Sequence, residues 1–437
     1  MTQLSHLQAF LSYVETYPAW QWQGRIVEAT SQLLVSEGPP CAMGEVCRIA
    51  GAGGVPCSAE VVGFRGSNIL LMPMVTSHGI RSGDVVFASG TGPEIVLGQQ
   101  MLGRVLDAEA KPLDVLGPLS MLERVPLDRP SREAMRRVRI QEPLSTGVRA
   151  IDGMLTVGRG QRVGLFGGSG VGKSTLIGMM TRSTSADVIV VGLIGERGRE
   201  VREFLEDALG EEGLARAVVF VSTADESPLR RMRAAQAATA AAEFYAAQGN
   251  DVLLVVDSLT RYAMAAREVG LAAGEPPATK GYTPSVFAHL AKLVERAGRF
   301  ERGSITAFYT VLMEGDDQQD PIVDSVRSLL DGHVVLSREL ASQGWYPPIQ
   351  ILDSLSRLMP AVSSTEHREK AMLARRLLAS YKRSEDLIRL GAYAAGSDPE
   401  LDRAMAALPA LKAYLQQRSE EAPSFAESVA MLEALAL

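Results

Sequence analysis

Residues 162–176 limit this chain to few folds, because an apolar strand pattern, a glycine loop and a helix start follow one another there without a break. Residues 163–166 suit a buried strand, and Gly167-x-x-x-x-Gly172-Lys173-Ser174 fits the phosphate-loop pattern at every fixed position. Glycines let the backbone turn tightly enough for its amides to converge on an anion, at the positive end of the helix that follows. Gly167, Gly168, Ser169, Gly170, Val171, Gly172, Lys173, Ser174 and Thr175 are therefore the candidate nucleotide-binding residues. Lys173 would reach the β and γ phosphates, and the Ser174 hydroxyl would hold Mg2+.

The texture around this loop divides the chain. Residues 187–194, 217–222, 251–257 and 304–312 read as continuous apolar strands, with helical patterns at 201–209 and 229–247 between them. Such alternation gives a parallel sheet covered on both faces, with ligands at the carboxyl ends of its strands. Before it, residues 24–95 carry short β-rich runs separated by Gly, Ser and Pro, the rhythm of a small β-barrel. After Pro360 the strand signals stop, and 366–381, 384–395, 399–417 and 424–436 read as helices. Leu4, Leu7, Phe10, Leu11, Val14 and Tyr17 form a stripe that Pro18 ends. The expected domains are thus an amphipathic helix for partner docking at 1–23, a β-barrel at 24–95, a nucleotide domain at 96–360 and a helical domain at 361–437. Residues 102–114 read as a strand pair and 123–139 as an extended link, whose Arg132, Arg136, Arg137 and Arg139 are solvated or paired with carboxylates.

Charge balance narrows the function. A net charge of −7 does not suit a large nucleic-acid face, which demands clustered Lys and Arg. Cys41, Cys47 and Cys57 have neither CxxC spacing nor a nearby histidine, so reduced thiols in a cytoplasm are expected. No apolar run approaches membrane-spanning length.

Three further positions bear on chemistry. Asp257 ends an apolar strand, where it would accept Mg2+ through its water shell, or else form a turn or cap the next helix. Glu196 follows the second sheet strand and would orient the water that attacks the γ phosphate, or else belong to a salt-bridged surface cluster with Arg197 and Arg199. Arg357, at the far end of the α/β region, is either a structural arginine or a finger pointing into a neighbour's site.

Taken together, residues 167–174, 191–201, 257–263, 274–282, 314–321, 330–333, the pair Tyr346-Pro347 and the pair Ser356-Arg357 resemble the rotary-type ATPases, and within them the ATPases of type III protein export at flagellar bases and in injectisomes. The resemblance implies an α/β, RecA-like parallel-sheet nucleotide domain with an N-terminal β-barrel and a C-terminal helical domain. It implies that Glu196 is the catalytic carboxylate, that Arg197 assists near the γ phosphate, that Asp257 is the Walker B acid, that Tyr346 packs on adenine and that Arg357 reaches the next subunit of a homohexamer. ATP and Mg2+ would be its cofactors. Its partners would be other copies of itself, a stator or regulator at the N-terminus, a central stalk protein, the export gate and substrate–chaperone complexes, without nucleic acid. It would lie in the cytoplasm, peripheral to the inner-membrane export machinery. Trp345 stands where the family commonly has His, and Pro348-Ile-Gln350 where it has Ala-Ile-Asp. The alternatives are an RNA-translocating hexamer of the termination-factor type, a subunit of a proton-coupled ATP synthase or pump, and a nucleotide-gated scaffold.

Overall fold

A computed structural model describes residues 22–50, 57–75, 79–120, 122–129, 134–313 and 320–437. The helix expected at 1–23 falls outside them, apart from Trp22 and Gln23, and Gln23 opens a strand instead. By contacts the chain divides into two compact units. One runs to Glu94 and takes in Ser227–Arg230 and Glu268–Pro276, and the other holds the remaining residues.

In the first unit, β1 (Gln23–Ala29), β2 (Leu34–Glu37), β3 (Val46–Ala50), β4 (Cys57–Arg65), β5 (Asn68–Pro73) and β6 (Val85–Ala88) close into a barrel in the order β1-β2-β5-β4-β3-β6. Alternate residues turn inward, as Cys57, Ala59 and Val61 do along β4. They meet Ile26, Leu34, Ile49, Leu71 and Val86 in the barrel core. Closure pairs every strand on both sides and leaves no open edge.

The second unit is built on a mostly parallel sheet. Its strands are β7 (Glu94–Leu97), β8 (Arg104–Leu106), β9 (Glu123–Pro126), β10 (Arg162–Gly167), β11 (Val188–Glu196), β12 (Ala217–Thr223), β13 (Asp251–Asp257), β14 (Gly298–Arg299), β15 (Ser304–Leu312), β16 (Gly332–Val335) and β17 (Leu355–Ser356). The main path runs β17-β16-β10-β15-β13-β11-β12-β8, while β7 pairs with β9 and β14 with β15. The central strands are buried on both faces, which is why their sequences are apolar without alternation. Alanine fills the helix Pro228–Ala247 for a steric reason: a Cβ added to Gly192 of β11 would already lie 3.1 Å from the Ala238 methyl.

Several expectations are corrected. Residues 102–114 do not form a strand pair: β8 joins β12 in parallel, and the return segment makes a single bridge, Leu106 to Pro112. The Arg104 guanidinium and the Val105 amide draw Asp114 back instead. The helical stretch at 201–209 begins earlier, as Gly198–Glu203, and continues as a π-helical turn over Phe204–Leu209. The helices expected at 366–381 and 384–395 are one, Thr365–Arg389, carried through the expected break by ion pairs from Glu385 to Lys382 and Arg389. Arg137 of the basic cluster pairs with Glu295 and donates to the Ala297 carbonyl.

The C-terminal helices Thr365–Arg389, Pro399–Leu415 and Phe425–Glu433 are capped by Ser364, Asp398 and Ser424. They close on the helix Arg149–Met154, where His367 Nε2 lies 2.7 Å from the Gly153 carbonyl. Gly153 must lack a side chain, because its Cβ would fall 1.9 Å from the Tyr414 hydroxyl. Among the described residues no helix is long and apolar enough to cross a membrane.

Candidate active site

Sheet order brings the candidate residues together. β15 separates the strand that leads into the phosphate loop from β13, which ends at Asp257, and β11, which ends at Glu196, lies next. Gly170 and Gly172 take φ of +77° and +91°, a region that other residues rarely enter. Gly172 caps the helix Lys173–Ser183 with no side-chain hydrogen bond, so the first amides of that helix are left for an anion. Ser169, Gly170, Ser174 and Thr175 are exposed, whereas Gly167, Gly168 and Val171 are buried and anchor the loop.

Lys173 Nζ lies 2.8 Å from Asp257 Oδ1, with both side chains nearly buried. Thr310 on β15 donates its hydroxyl to the same Asp257 oxygen at 2.6 Å. Glu196 turns inward, and Arg261 Nε donates to its Oε1 at 3.1 Å. Burial first, then the Asp257 charge and the hydrogen bond with Glu200, push the Glu196 carboxyl up to about 7, against the pull of Arg261 and Lys173. Glu200 is held low, chiefly by its hydrogen bond with Glu196. Arg197 and Arg199 stay largely in solvent, 3.6 Å from Glu200 and Glu203 respectively. The arginines thus form a surface cluster, and the Glu196 carboxyl, between two strand ends, meets it through its hydrogen bond with Glu200.

Lys173, Glu196, Arg197, Glu200, Asp257 and Arg261 line a cleft of about 900 Å³. An adjoining cleft of about 850 Å³ runs past Gly172 to Tyr346 and Pro348. A Cβ added to Gly172 would stand 3.5 Å from Tyr346 Cε1, and the Tyr346 side chain is half exposed. Trp345 and Gln350, where the sequence departs from the family, do not line that cleft. They border a separate cavity with Leu340, Leu378 and Tyr381.

Arg357 stands apart. It is exposed, its amide donates to the Asp331 carbonyl, and the Asp331 amide donates to Arg162 at the start of β10. The phosphate loop begins at the other end of β10, roughly 16 Å away at about 3.3 Å per residue, which the side chain does not span. Among the described residues its guanidinium meets no carboxylate.

The donor set suits Mg2+. A nearly buried carboxylate, Asp257, already holds one cation, the Lys173 ammonium, and the exposed Ser174 hydroxyl follows next in the chain. Among the described residues no cluster of three His, Cys, Asp or Glu could cage a metal alone. Mg2+ rarely uses such cages and shares few protein oxygens with substrate phosphates and water.

Sequence reasoning did not assign Arg261, Thr310 or Glu200. Arg261 carried the clearest signal, since it follows Asp257 by one helical turn and so returns toward the same strand end. Thr310 gives no local sign, because its partner lies 53 residues away. Residues 314–319 of the family segments lie outside the described set; Asp320, which follows them, caps the helix Pro321–Leu329.

A phosphate loop, a carboxylate one strand removed and a second carboxylate on the next strand define a phosphate-loop ATPase of RecA-like architecture. The model of the ATP synthase alpha/beta family, nucleotide-binding domain, matches residues 147–356, and that of the T3SS EscN ATPase C-terminal domain matches residues 363–434. The flagellum-specific ATP synthase of Pseudomonas aeruginosa is 53% identical over 418 residues, covering 94% of this chain and 93% of that one. The type 3 secretion system ATPase of Sinorhizobium fredii is 47% identical over 414 residues, covering 94% and 92%. The assembled ATPase EscN from the enteropathogenic E. coli type III secretion system superposes with a TM-score of 0.90 at 42% identity over 95% of this chain and 100% of that one. With its central stalk EscO, the TM-score is 0.87 at 41% identity, over the same 95% and 100%. The chain belongs to the ATP synthase alpha/beta family and, within it, to the ATPases of flagellar and type III export. The RNA-translocase and proton-pump alternatives are not favoured.

Proposed function

We propose that the protein hydrolyses ATP with Mg2+ in a closed ring of six identical subunits, and that turnover unfolds protein substrates, releases their chaperones and feeds them to an export gate. The ring would work in the cytoplasm at the inner membrane, around a central stalk, with a stator or regulator held by the N-terminal segment. The solved assembly of EscN and its complex with a stalk support the ring and the stalk.

In this reading the phosphate-loop amides and Lys173 seat the triphosphate, and Tyr346 covers the base. Lys173 would exchange Asp257 for the β and γ phosphates, and Asp257 and Ser174 would then hold Mg2+. Bound there, Mg2+ would neutralise charge developing on the phosphoryl oxygens. Glu196, set near neutrality, accepts a proton from the attacking water while Arg261 fixes its orientation. Arg197, which lines the cleft, would assist near the γ phosphate. Arg357 supplies its charge to the neighbouring subunit's ATP.

The observation that carries this reading is the separation of Arg357 from its own phosphate loop by the length of β10. A finger so placed acts only between copies. Mixing a Lys173→Ala protein with an Arg357→Ala protein should therefore restore part of the turnover that each lacks alone. No recovery, together with full activity of a dilute wild-type monomer, would overturn the shared site.

A further inference from the structure

One buried amide joins the C-terminal helices to the base side of the nucleotide site. Gln417, 5% exposed, follows the helix Pro399–Leu415. Its backbone amide donates to the Tyr346 carbonyl at 3.0 Å. Its side-chain Nε2 donates to the Gly147 carbonyl at 2.7 Å and to the Glu421 carbonyl at 2.9 Å, and its Oε1 accepts from the Arg149 amide at 2.8 Å. Every donor and acceptor of the side-chain amide that the fold can use is thus engaged without solvent. Around it, Arg149 holds the Gln416 carbonyl and Glu421, and Arg182, at the end of the phosphate-loop helix, holds the Ser419 carbonyl. The segment 416–421 thereby forms one wall of the cleft that Tyr346 borders.

The Tyr346 ring itself has little to hold it. It is half exposed, and its carbonyl is fixed by a residue from a distant part of the chain. A ring seated on a base loses binding when its backbone drifts, whereas the phosphate loop, held within its own strand and helix, does not feel that drift.

We propose that Gln417 is a positioning residue for nucleotide-base recognition: its backbone amide holds the Tyr346 carbonyl and its side chain holds the wall 416–421, so that it governs affinity for the nucleotide without touching the reacting phosphates. This rests on the reading that Tyr346 seats the base. Gln417→Glu keeps the shape but cannot make the two Nε2 donations, and Gln417→Met keeps the shape and the backbone bond to Tyr346 but has no side-chain hydrogen bond.

The test is steady-state kinetics of the full-length protein with ATP and GTP, for Gln417→Glu, Tyr346→Ala and the double variant. Losing one or two such hydrogen bonds should raise KM for ATP about tenfold while kcat stays within about twofold. KM for GTP should rise by a similar factor, because stacking on the ring does not depend on which purine is bound. In the Tyr346→Ala background the Gln417→Glu change should add almost nothing, as expected when one residue acts through the other. If Gln417→Glu does not fold, as judged by thermal unfolding, Gln417→Met takes its place. Additive losses, or a fall in kcat equal for both nucleotides, would mean that Gln417 is merely structural. If Tyr346→Ala raises KM but the Gln417 variants do not, the inference fails and the base site stands. If Tyr346→Ala changes nothing, the reading of Tyr346 fails, and this inference with it.

Discussion

Arg261 Nε and Glu196 Oε1 lie 3.1 Å apart although 65 residues separate them in sequence. The contact gives the nearly buried carboxylate a charged donor, and it opposes the burial and the Asp257 charge that push Glu196 up to about 7. In its proposed role Glu196 would take a proton from water only when ionised, so kcat/KM, which reports the free enzyme, should fall as pH drops through about 7. Removing the positive charge in Arg261→Ala should move that acidic limb to higher pH. A pH–rate profile with its limb near the ordinary glutamate range would contradict the assignment.

The same shift makes a statement about stability. A carboxyl that ionises less readily folded than unfolded weakens the fold once pH exceeds its unfolded value, and the penalty grows until pH passes about 7. Glu196→Gln removes the ionisation, so it should unfold at a higher temperature than wild type at pH 8, by up to about 3 kcal/mol. Near pH 4 both forms are neutral and the difference should vanish. Hydrolysis should fall by about 10² to 10⁴ as the proton acceptor is lost. Equal unfolding curves at pH 8 would show that the carboxylate is better solvated than its surroundings indicate.

Gly178 lies midway along the phosphate-loop helix, where an added Cβ would stand 2.6 Å from the Ala208 carbonyl oxygen in the π-helical turn Phe204–Leu209. Backbone cannot give way as a side-chain tip can. Gly178→Ala should cost about 1–3 kcal/mol despite the better helix propensity of alanine. Thermal unfolding checks it, and a stabilised variant would refute the close approach.

What could be read in the sequence follows the range of each interaction. The phosphate loop was legible because its strand, glycines and helix start are contiguous, and the fold needs nothing distant to form them. The C-terminal domain was legible as helices, but the break expected near Lys382 was not real: the i to i+3 and i+4 pairs of Glu385 favour the continuous helix, and the turn signal that counts is Gly391, at φ +69°. Glu196 was ambiguous because its neighbours Arg197 and Arg199 are surface residues, and only the β11 register with β13 and β12 shows that the carboxylate faces inward. Arg357 was ambiguous in the same way. Its sequence position says nothing about which end of the sheet it occupies, which the antiparallel pairing of β17 with β16 decides.

The pair Lys173 and Asp257 supports a last prediction, which separates stability from catalysis. Both side chains are nearly buried, so each ion is tolerated because the other is there. Removing one partner leaves an uncompensated charge, which costs about 3–5 kcal/mol, whereas removing both charges from such a pair is often close to neutral. Lys173→Met should therefore be clearly less stable than wild type, since it strands Asp257 beside Glu196, whose carboxyl the Asp257 charge already pushes up. Adding Asp257→Asn to Lys173→Met should return most of the lost stability, because an amide can still accept the Thr310 hydroxyl bond and carries no charge. The double variant should nonetheless remain without hydrolysis, having lost both the phosphate-binding ammonium and the acid proposed to hold the Mg2+ water shell. Urea unfolding of the three proteins in nucleotide-free buffer reads the first effect and phosphate release the second. If the double variant is as unstable as the sum of the two single changes, the resting ion pair does not neutralise the site, and the exchange of Asp257 for phosphate at Lys173 loses its basis.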